Sequence, residues 1–339
     1  MKILFFTPYY NQNRGNATTA KRIVHGLRLM DIEVFVFAYE EENWSHQWQQ
    51  ILLAVDLYHI LHLRRFASWQ KQQEITLEKP YVLTSGGTDI NEDLADTYAR
   101  DLMGNVADDS CSVTVFTEDG KRKIEDSYPE LVERTHVIPQ SIWLPDAKQT
   151  TNELPKGDPV IVLPAGLRAV KDIFYVWEAF KELAADYPEL KVVFVGAALD
   201  DSLLTEVRER EKNNSWFSYI GEVSLEEMHH IYEQADIVIN SSLSEGQPTA
   251  LLEAMHVGKV VIARDIPGNR SVVIDQDTGF LFHSNQQFKE IICELMSDPL
   301  KASNVAEQGR RYVAKHHQLT AEISAYVDVY RHCIRKAIN

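Results

Sequence analysis

The sequence predicts an α/β protein of two doubly wound, parallel-sheet domains, on three observations. Short apolar runs recur between turn residues, helical stripes lie between several of them, and the same rhythm restarts halfway along the chain. Continuous apolar strands separated by helices mark a parallel sheet covered on both faces, because a strand with one wet face would alternate.

In the first half the candidate strands are residues 3–6, 34–37, 57–61, 81–83 and 113–116. Ala20, Ile23, Val24 and Leu27 fall at i, i+3, i+4 and i+7, one stripe of a helix joining the first two strands. Residues 152–159 are polar, with Pro155, Pro159 and Gly157, and suit an interdomain linker. Strands follow at 160–163, 192–195, 217–220, 237–239 and 260–263. From about Gln286 the pattern is helical, broken near Asp298 and Pro299.

Length agrees with this division: 339 residues exceed one ordinary core and suit two domains of roughly 150 residues each. The expected boundaries are 1–150, 151–315 and a final helix, 316–339, that returns to the first domain. Open α/β sheets bind ligands beyond the carboxyl ends of their strands, so the ligand belongs in a cleft between the two domains.

The composition, 45% hydrophobic and 25% charged without long apolar runs, is that of a globular protein. With 34 basic against 50 acidic residues the net charge is −16, which argues against general attraction to nucleic acid. Cys111, Cys293 and Cys333 show neither close pairing nor zinc-like spacing. They read as reduced thiols of a cytoplasmic protein. Peripheral membrane contact and oligomeric state stay open.

The strongest constellation is the strand, loop and helix over 235–255, with Glu245, Gly246, Gln247, Pro248, Thr249, Ala250, Leu251 and Glu253 in sequence. Pro248 suits the first helical turn, which leaves the amides near Thr249, Ala250 and Leu251 at the positive end of the helix dipole. Such a place binds a diphosphate. Glu245 and Glu253 would bracket it and accept sugar hydroxyls, although two glutamates alone read as ordinary surface residues.

A second loop, after strand 160–163, carries Arg168 and Lys171, cations that can converge on a phosphate leaving group without a metal. In the first domain Gly15 and Asn16 stand between a strand and a helix, where glycine permits close backbone approach to a ligand. Asp89, beside Gly87, is a candidate for an acceptor hydroxyl, with Asn91 and Glu92 weaker; an aspartate capping a turn is the alternative. His62 lies just beyond a strand and could face the cleft. Trp44, Trp48 and Trp69, near Arg64, Arg65 and Lys71, are candidates for an acceptor-facing or membrane-facing patch, with packing the more ordinary explanation.

The stretch from Ala235 to Met255, with Gly258 to Ala263 after it, resembles the donor-site signature of family 4 retaining glycosyltransferases of the GT-B fold. The resemblance implies two Rossmann-like domains and a nucleotide-sugar donor, a UDP-sugar by family frequency. It implies that Glu245 contacts the donor sugar, Glu253 the ribose, and Lys171 and Arg168 the diphosphate. Gly221 and Val223 would meet the nucleobase through their backbone. No metal or other cofactor is expected.

The sequence departs from the family pattern at two places. The family's arginine directly follows the glycine and lies farther from the lysine than Arg168 lies from Lys171, and the histidine common in the first-domain loop is replaced by Gly86. A narrower set comprises Gly15, Asn16, Thr19, Ala20 and Arg22, then His62, Arg64 and Arg65, then Gly86, Gly87, Asp89 and Asp93, then residues 138–142. It is similar to the glycosyltransferase 1 domain-containing group and its bacterial relatives, and more distantly to bacterial selenosugar synthases. The implied activity is sugar transfer from a nucleotide-sugar to an unidentified acceptor. A nucleotide-sugar epimerase and a non-catalytic nucleotide-sugar-binding subunit are the alternatives.

Overall fold

The computed structural model of the chain describes residues 1–145 and 152–338. The chain divides into one unit formed by Met1–Gln140 with Leu319–Asn339 and a second formed by Ser141–Gln318. Each unit is built on a parallel six-stranded sheet.

The first sheet contains β1 (Lys2–Thr7), β2 (Glu33–Ala38), β3 (Leu57–Leu61), β4 (Tyr81–Thr84), β5 (Ser112–Val115) and β6 (Thr135–Val137), in the order β2-β1-β3-β4-β5-β6. The second contains β7 (Val160–Pro164), β8 (Lys191–Val195), β9 (Phe217–Tyr219), β10 (Ile237–Asn240), β11 (Val260–Arg264) and β12 (Phe280–Phe282), in the order β12-β11-β10-β7-β8-β9. In each sheet the chain starts in the middle and winds outward both ways. The direction reverses between β1 and β3, and again between β7 and β10. At such a switch point the neighbouring loops diverge to opposite faces and leave a crevice.

The ten predicted strands all form. β6 and β12, of three residues each, were not anticipated. The predicted helical stripe lies on the helix Gly15–Leu29, where Ala20, Ile23, Val24 and Leu27 have no exposed surface. Residues 152–159 are not a free linker. Leu154 is buried, its N–H donates to Gln234 Oε1 at 2.7 Å, and Asp158 N–H donates to Glu189 O at 2.8 Å, so the segment is packed onto the second unit.

The last helix, Leu319–Ile338, belongs to the first unit and buries Ile323, Tyr326, Val327, Tyr330 and Cys333 in its core. A Cβ added at Gly26 would lie 2.3 Å from Ile323 Cγ1, so glycine is what allows this helix to approach the helix Gly15–Leu29. Beside that contact the Arg22 guanidinium donates to both Glu322 oxygens, at 2.9 and 3.1 Å, and to Gln140 Oε1 at 2.8 Å. Arg22 and Glu322 are 1% and 4% exposed, so neither charge has water to fall back on.

The same helix overturns the expectation of three reduced thiols. Cys333 meets Cys111, the residue before β5, with Cα atoms 5.6 Å apart, and the two form a disulfide across 222 residues of sequence. Cys293 remains free. The cytoplasmic expectation therefore loses its support from thiol chemistry. No helix among the described residues is long and apolar enough to cross a membrane.

Removing one partner of a buried ion pair costs roughly 3–5 kcal/mol, because the other charge stays in a medium that solvates it poorly. Arg22→Met should lower first-unit stability by about that amount in urea unfolding, and Arg22→Met with Glu322→Met should recover most of the loss. Equal destabilisation of the single and double variants would show that the pair does not hold the last helix.

Candidate functional site

The second unit's switch point is where the strongest candidates meet. β7 and β10 pair side by side, so the loops that follow them leave the sheet together. Leu243 N–H donates to Val170 O at 2.9 Å and Ser241 Oγ to Lys171 O at 3.1 Å, which ties the two loops to each other. A short 3₁₀ turn, Ala169–Lys171, ends at Asp172 in the left-handed region with φ 41°. This turn sends the Lys171 side chain to Glu245, with Nζ 2.6 Å from Oε1.

Both side chains are largely shielded, at 17% and 12% exposure. Glu245 Oε1 also accepts from Asn240 Nδ2 at 3.0 Å and Ser242 Oγ at 2.7 Å. Burial pushes the Glu245 carboxyl up, but the Lys171 ammonium, with the amide and hydroxyl donors, outweighs it and holds the group below its ordinary range. The backbone of Glu245 is fixed from a third side. A Cβ on Gly268, in the turn after β11, would come within 2.4 Å of Glu245 O and 2.7 Å of its Cβ.

The helix Thr249–His256 starts one residue later than expected, with Pro248 as its N-cap. Thr249 and Ala250 present amides without a partner among the described residues, as expected of an anion site. Leu251 does not: its N–H donates to Pro248 O at 3.2 Å and its side chain lies in the core, so it leaves the expected set of free donors. Glu253 is 6% exposed and accepts from Tyr232 Oη at 2.8 Å. Gln247 Nε2 reaches Ser271 Oγ at 3.4 Å, and Gly246 lies in the loop between Glu245 and Pro248. Gly221, after β9, has φ 80° and open space where a Cβ would point, whereas the Val223 side chain belongs to the core.

Arg168 is not brought to this cluster. Its side chain is exposed and has no ion pair or hydrogen bond among the described residues. The guanidinium beside the Lys171 turn is Arg264, at the end of β11, with Nη1 2.7 Å from Asp172 Oδ2 and the charge 3.8 Å above the Tyr175 ring. Sequence reasoning assigned no role to Arg264, Asn240, Ser242 and Tyr232. The first two were findable as the polar residues that end buried strands.

In the first unit Gly15 opens the helix Gly15–Leu29, with Asn16 next, where the loop after β1 ends at that sheet's own switch point. Asn16 Oδ1 lies 3.1 Å from where a Cβ on Gly86 would stand. Asp89 is corrected. It has no exposed surface, and its carboxylate accepts from the amides of Leu63, Gly86, Gly87 and Ile90 and from Ser85 Oγ, at 2.7 to 3.0 Å. Five donors leave it no capacity for an acceptor hydroxyl, so it is a turn-building residue. Gly87, at φ 101°, gives its N–H to Asp89 and to Ser85 Oγ, and it serves the same turn.

His62 is likewise enclosed at 2% exposure, with φ 75° and Nε2 3.1 Å from Thr88 Oγ1. Burial lowers its pKa against the opposing pull of Asp89. A Cβ on Gly86 would collide with the His62 ring, 2.6 Å from Cδ2, so glycine at that position makes room for this histidine. His59, on β3, has no exposed surface either. It bonds Tyr330 Oη and Thr84 Oγ1, and burial lowers its pKa to about 3. Trp44, Trp48 and Trp69 do not form a patch; they pack around Phe37, and Trp44 and Trp69 also around Phe6.

Residues 146–312 match the family model described as glycosyl transferases group 1. Over 96% of its length the chain is 29% identical to the glycosyltransferase 1 domain-containing protein 1 of Xenopus tropicalis, of which the match covers 96%. It is 24% identical to the trehalose synthase of Pyrococcus horikoshii over half of the chain and 43% of that protein. Among solved structures, HepE of Anabaena in complex with UDP-glucose superposes with a TM-score of 0.77 at 16% identity, covering 98% of this chain and all of that one. The fold is GT-B, and the stretch that matches the glycosyl transferases group 1 model falls in the second unit.

The ion pair sets a pH test. A carboxyl whose folded pKa lies below its unfolded value adds stability above the unfolded value, and that stability is lost as pH falls through the folded one. In Lys171→Met, burial would act on Glu245 without the cation and raise its pKa. The variant should therefore be less stable than the wild type at neutral pH and approach it as pH falls below the carboxylate range, by urea unfolding. A pH-independent difference would contradict the pairing.

Proposed function

We propose that the chain is a retaining glycosyltransferase of family 4 that moves a sugar from a nucleotide-sugar, a UDP-sugar, to an acceptor hydroxyl without a metal. The observation that carries this reading is the Lys171–Glu245 pair at the second sheet's switch point, one loop from the free amides of Thr249 and Ala250. A cation and a helix start answer the charge that develops on a departing diphosphate. A buried carboxylate beside them accepts sugar hydroxyls and holds the ring in place.

Lys171 would neutralise the leaving group, and Glu245 would contact the donor sugar near the reacting carbon. Glu253, already held by Tyr232, would use its remaining oxygen capacity for the ribose. The nucleobase would lie on the backbone around Gly221 and Val223. Attack from the face the leaving group quits would retain the anomeric configuration. The uridine base is supported by the structural likeness to HepE, which was solved in complex with UDP-glucose. Arg168 would act on the diphosphate only after its side chain turns inward, so Lys171 carries the larger share in this reading.

A non-catalytic sugar-nucleotide-binding subunit is the second reading, favoured by one observation. Asp89, the first-unit carboxylate offered for the acceptor, is consumed by its own turn.

The two glutamates separate chemistry from binding. Glu245→Gln should lower transfer, or slow release of UDP from UDP-glucose with water as acceptor, by about 10²–10³ in kcat with little change in nucleotide affinity. Glu253→Gln should weaken UDP binding in calorimetry by roughly tenfold or more, the worth of one hydrogen bond to a charged group. Both measurements run with and without EDTA, which should change neither. Wild-type behaviour of both variants would refute the site, activity lost to EDTA and restored only by added metal would refute the metal-free step, and UDP binding without any turnover would select the subunit reading.

A further inference from the structure

We infer that Asn240, locked by Asn269, is the positioning residue that aims Glu245 and fixes which of its neighbours donate to it. The inference deepens the transferase reading and rests on it for the part that concerns rate. Asn240 is the last residue of β10 and is 9% exposed. Its Oδ1 accepts from Ser242 N–H at 3.0 Å and from Asn269 Nδ2 at 3.2 Å, and its Nδ2 donates to Glu245 Oε1 at 3.0 Å.

The polarity of this chain is not a matter of choice. A backbone N–H can only donate, so Ser242 requires an oxygen at the inner end of the Asn240 amide and thereby turns the NH₂ toward Glu245. At the far end Asn269 Nδ2 donates to the carbonyl of Arg264 at 2.8 Å, and a carbonyl can only accept. The Asn269 NH₂ is therefore fixed as well. Two backbone groups, one from the turn after β10 and one from the end of β11, thus set the direction of both amides between them. A reversed Asn240 would face two donors with two donors and present an oxygen to a carboxylate.

Burying Asn269 carries a cost. It has no exposed surface, and its Oδ1 has no hydrogen-bond partner among the described residues. An apolar side chain of the same size would avoid that unsatisfied acceptor but would remove the donor that the Asn269 NH₂ supplies to Asn240 Oδ1 and to the Arg264 carbonyl. Gly268 beside it completes the arrangement, because only a residue without Cβ lets this turn lie against the Glu245 backbone. Neutral donors also suit the position. They orient the carboxylate without adding charge, so Lys171 stays the group that decides its ionisation.

The test is a ¹³C NMR titration of Glu-labelled protein, with the Glu245 carboxyl identified by its loss in Glu245→Gln, on wild type, Asn240→Ala and Asn269→Leu. Losing the amide donor should make Glu245 titrate at higher pH in Asn240→Ala, and losing the lock should shift it in the same direction in Asn269→Leu. UDP release from UDP-glucose should fall about tenfold in kcat with KM little changed in either variant. Asn240→Asp places a carboxyl against a carboxylate. One of the two must then hold a proton, so its rate relative to wild type should recover as pH falls. Folded variants whose Glu245 titration matches wild type would overturn the inference, even if their melting temperatures fall. Shifted titrations in a protein whose wild type neither binds nor cleaves UDP-glucose would keep the positioning role and remove the transferase reading.

Discussion

The second unit is organised around a carboxylate whose pKa burial alone would raise. Glu245 lies at 12% exposure, and an isolated anion there is costly. It is kept charged by Lys171 at 2.6 Å, and everything that brings Lys171 there follows from strand order. β7 and β10 are neighbours only because the sheet winds outward in both directions from its middle. That adjacency puts the turn after β7 against the loop after β10, and the bonds between Val170 and Leu243 and between Lys171 and Ser241 fix the spacing. The helix start at Thr249 and Ala250 then falls beside the pair because it is the next element along the same chain. Charge, counter-charge and free amides are consequences of one topological reversal.

Much of this was legible in the sequence. Apolar runs located ten of the twelve strands, and the rule that ligands lie beyond strand carboxyl ends pointed to the loops holding Lys171 and Glu245. β6 and β12 were not located from the sequence. Nor could spacing reveal contacts made across the chain. Cys111 and Cys333 meet only because the last helix returns to the first unit, and Arg264 reaches the Lys171 turn only because β11 lies beside β10. Arg168 was selected for its nearness to Lys171 in sequence, yet the backbone between them turns, and the two side chains do not share a partner.

The first unit teaches a different lesson about polar residues near glycine. Asp89, Gly86 and Gly87 read equally well as a ligand-binding loop or as a turn, and five hydrogen bonds decide for the turn. The glycine at 86 that looked like a missing side chain has a steric cause, since the His62 ring occupies the volume a Cβ would need. A substitution that seemed to delete a function in the sequence thus leaves an imidazole in the same space. Burial lowers the pKa of that imidazole, although Asp89 pulls the other way.

The proposed transfer requires that a donor diphosphate rest on the start of the helix Thr249–His256 beside Lys171. Hydrogen–deuterium exchange with and without UDP-glucose tests it most directly. The proposal predicts slowed exchange of the amides of Gly246, Gln247, Thr249 and Ala250 and of the Lys171 turn when ligand is present. Protection confined to other segments, with these amides exchanging at the ligand-free rate, would contradict it.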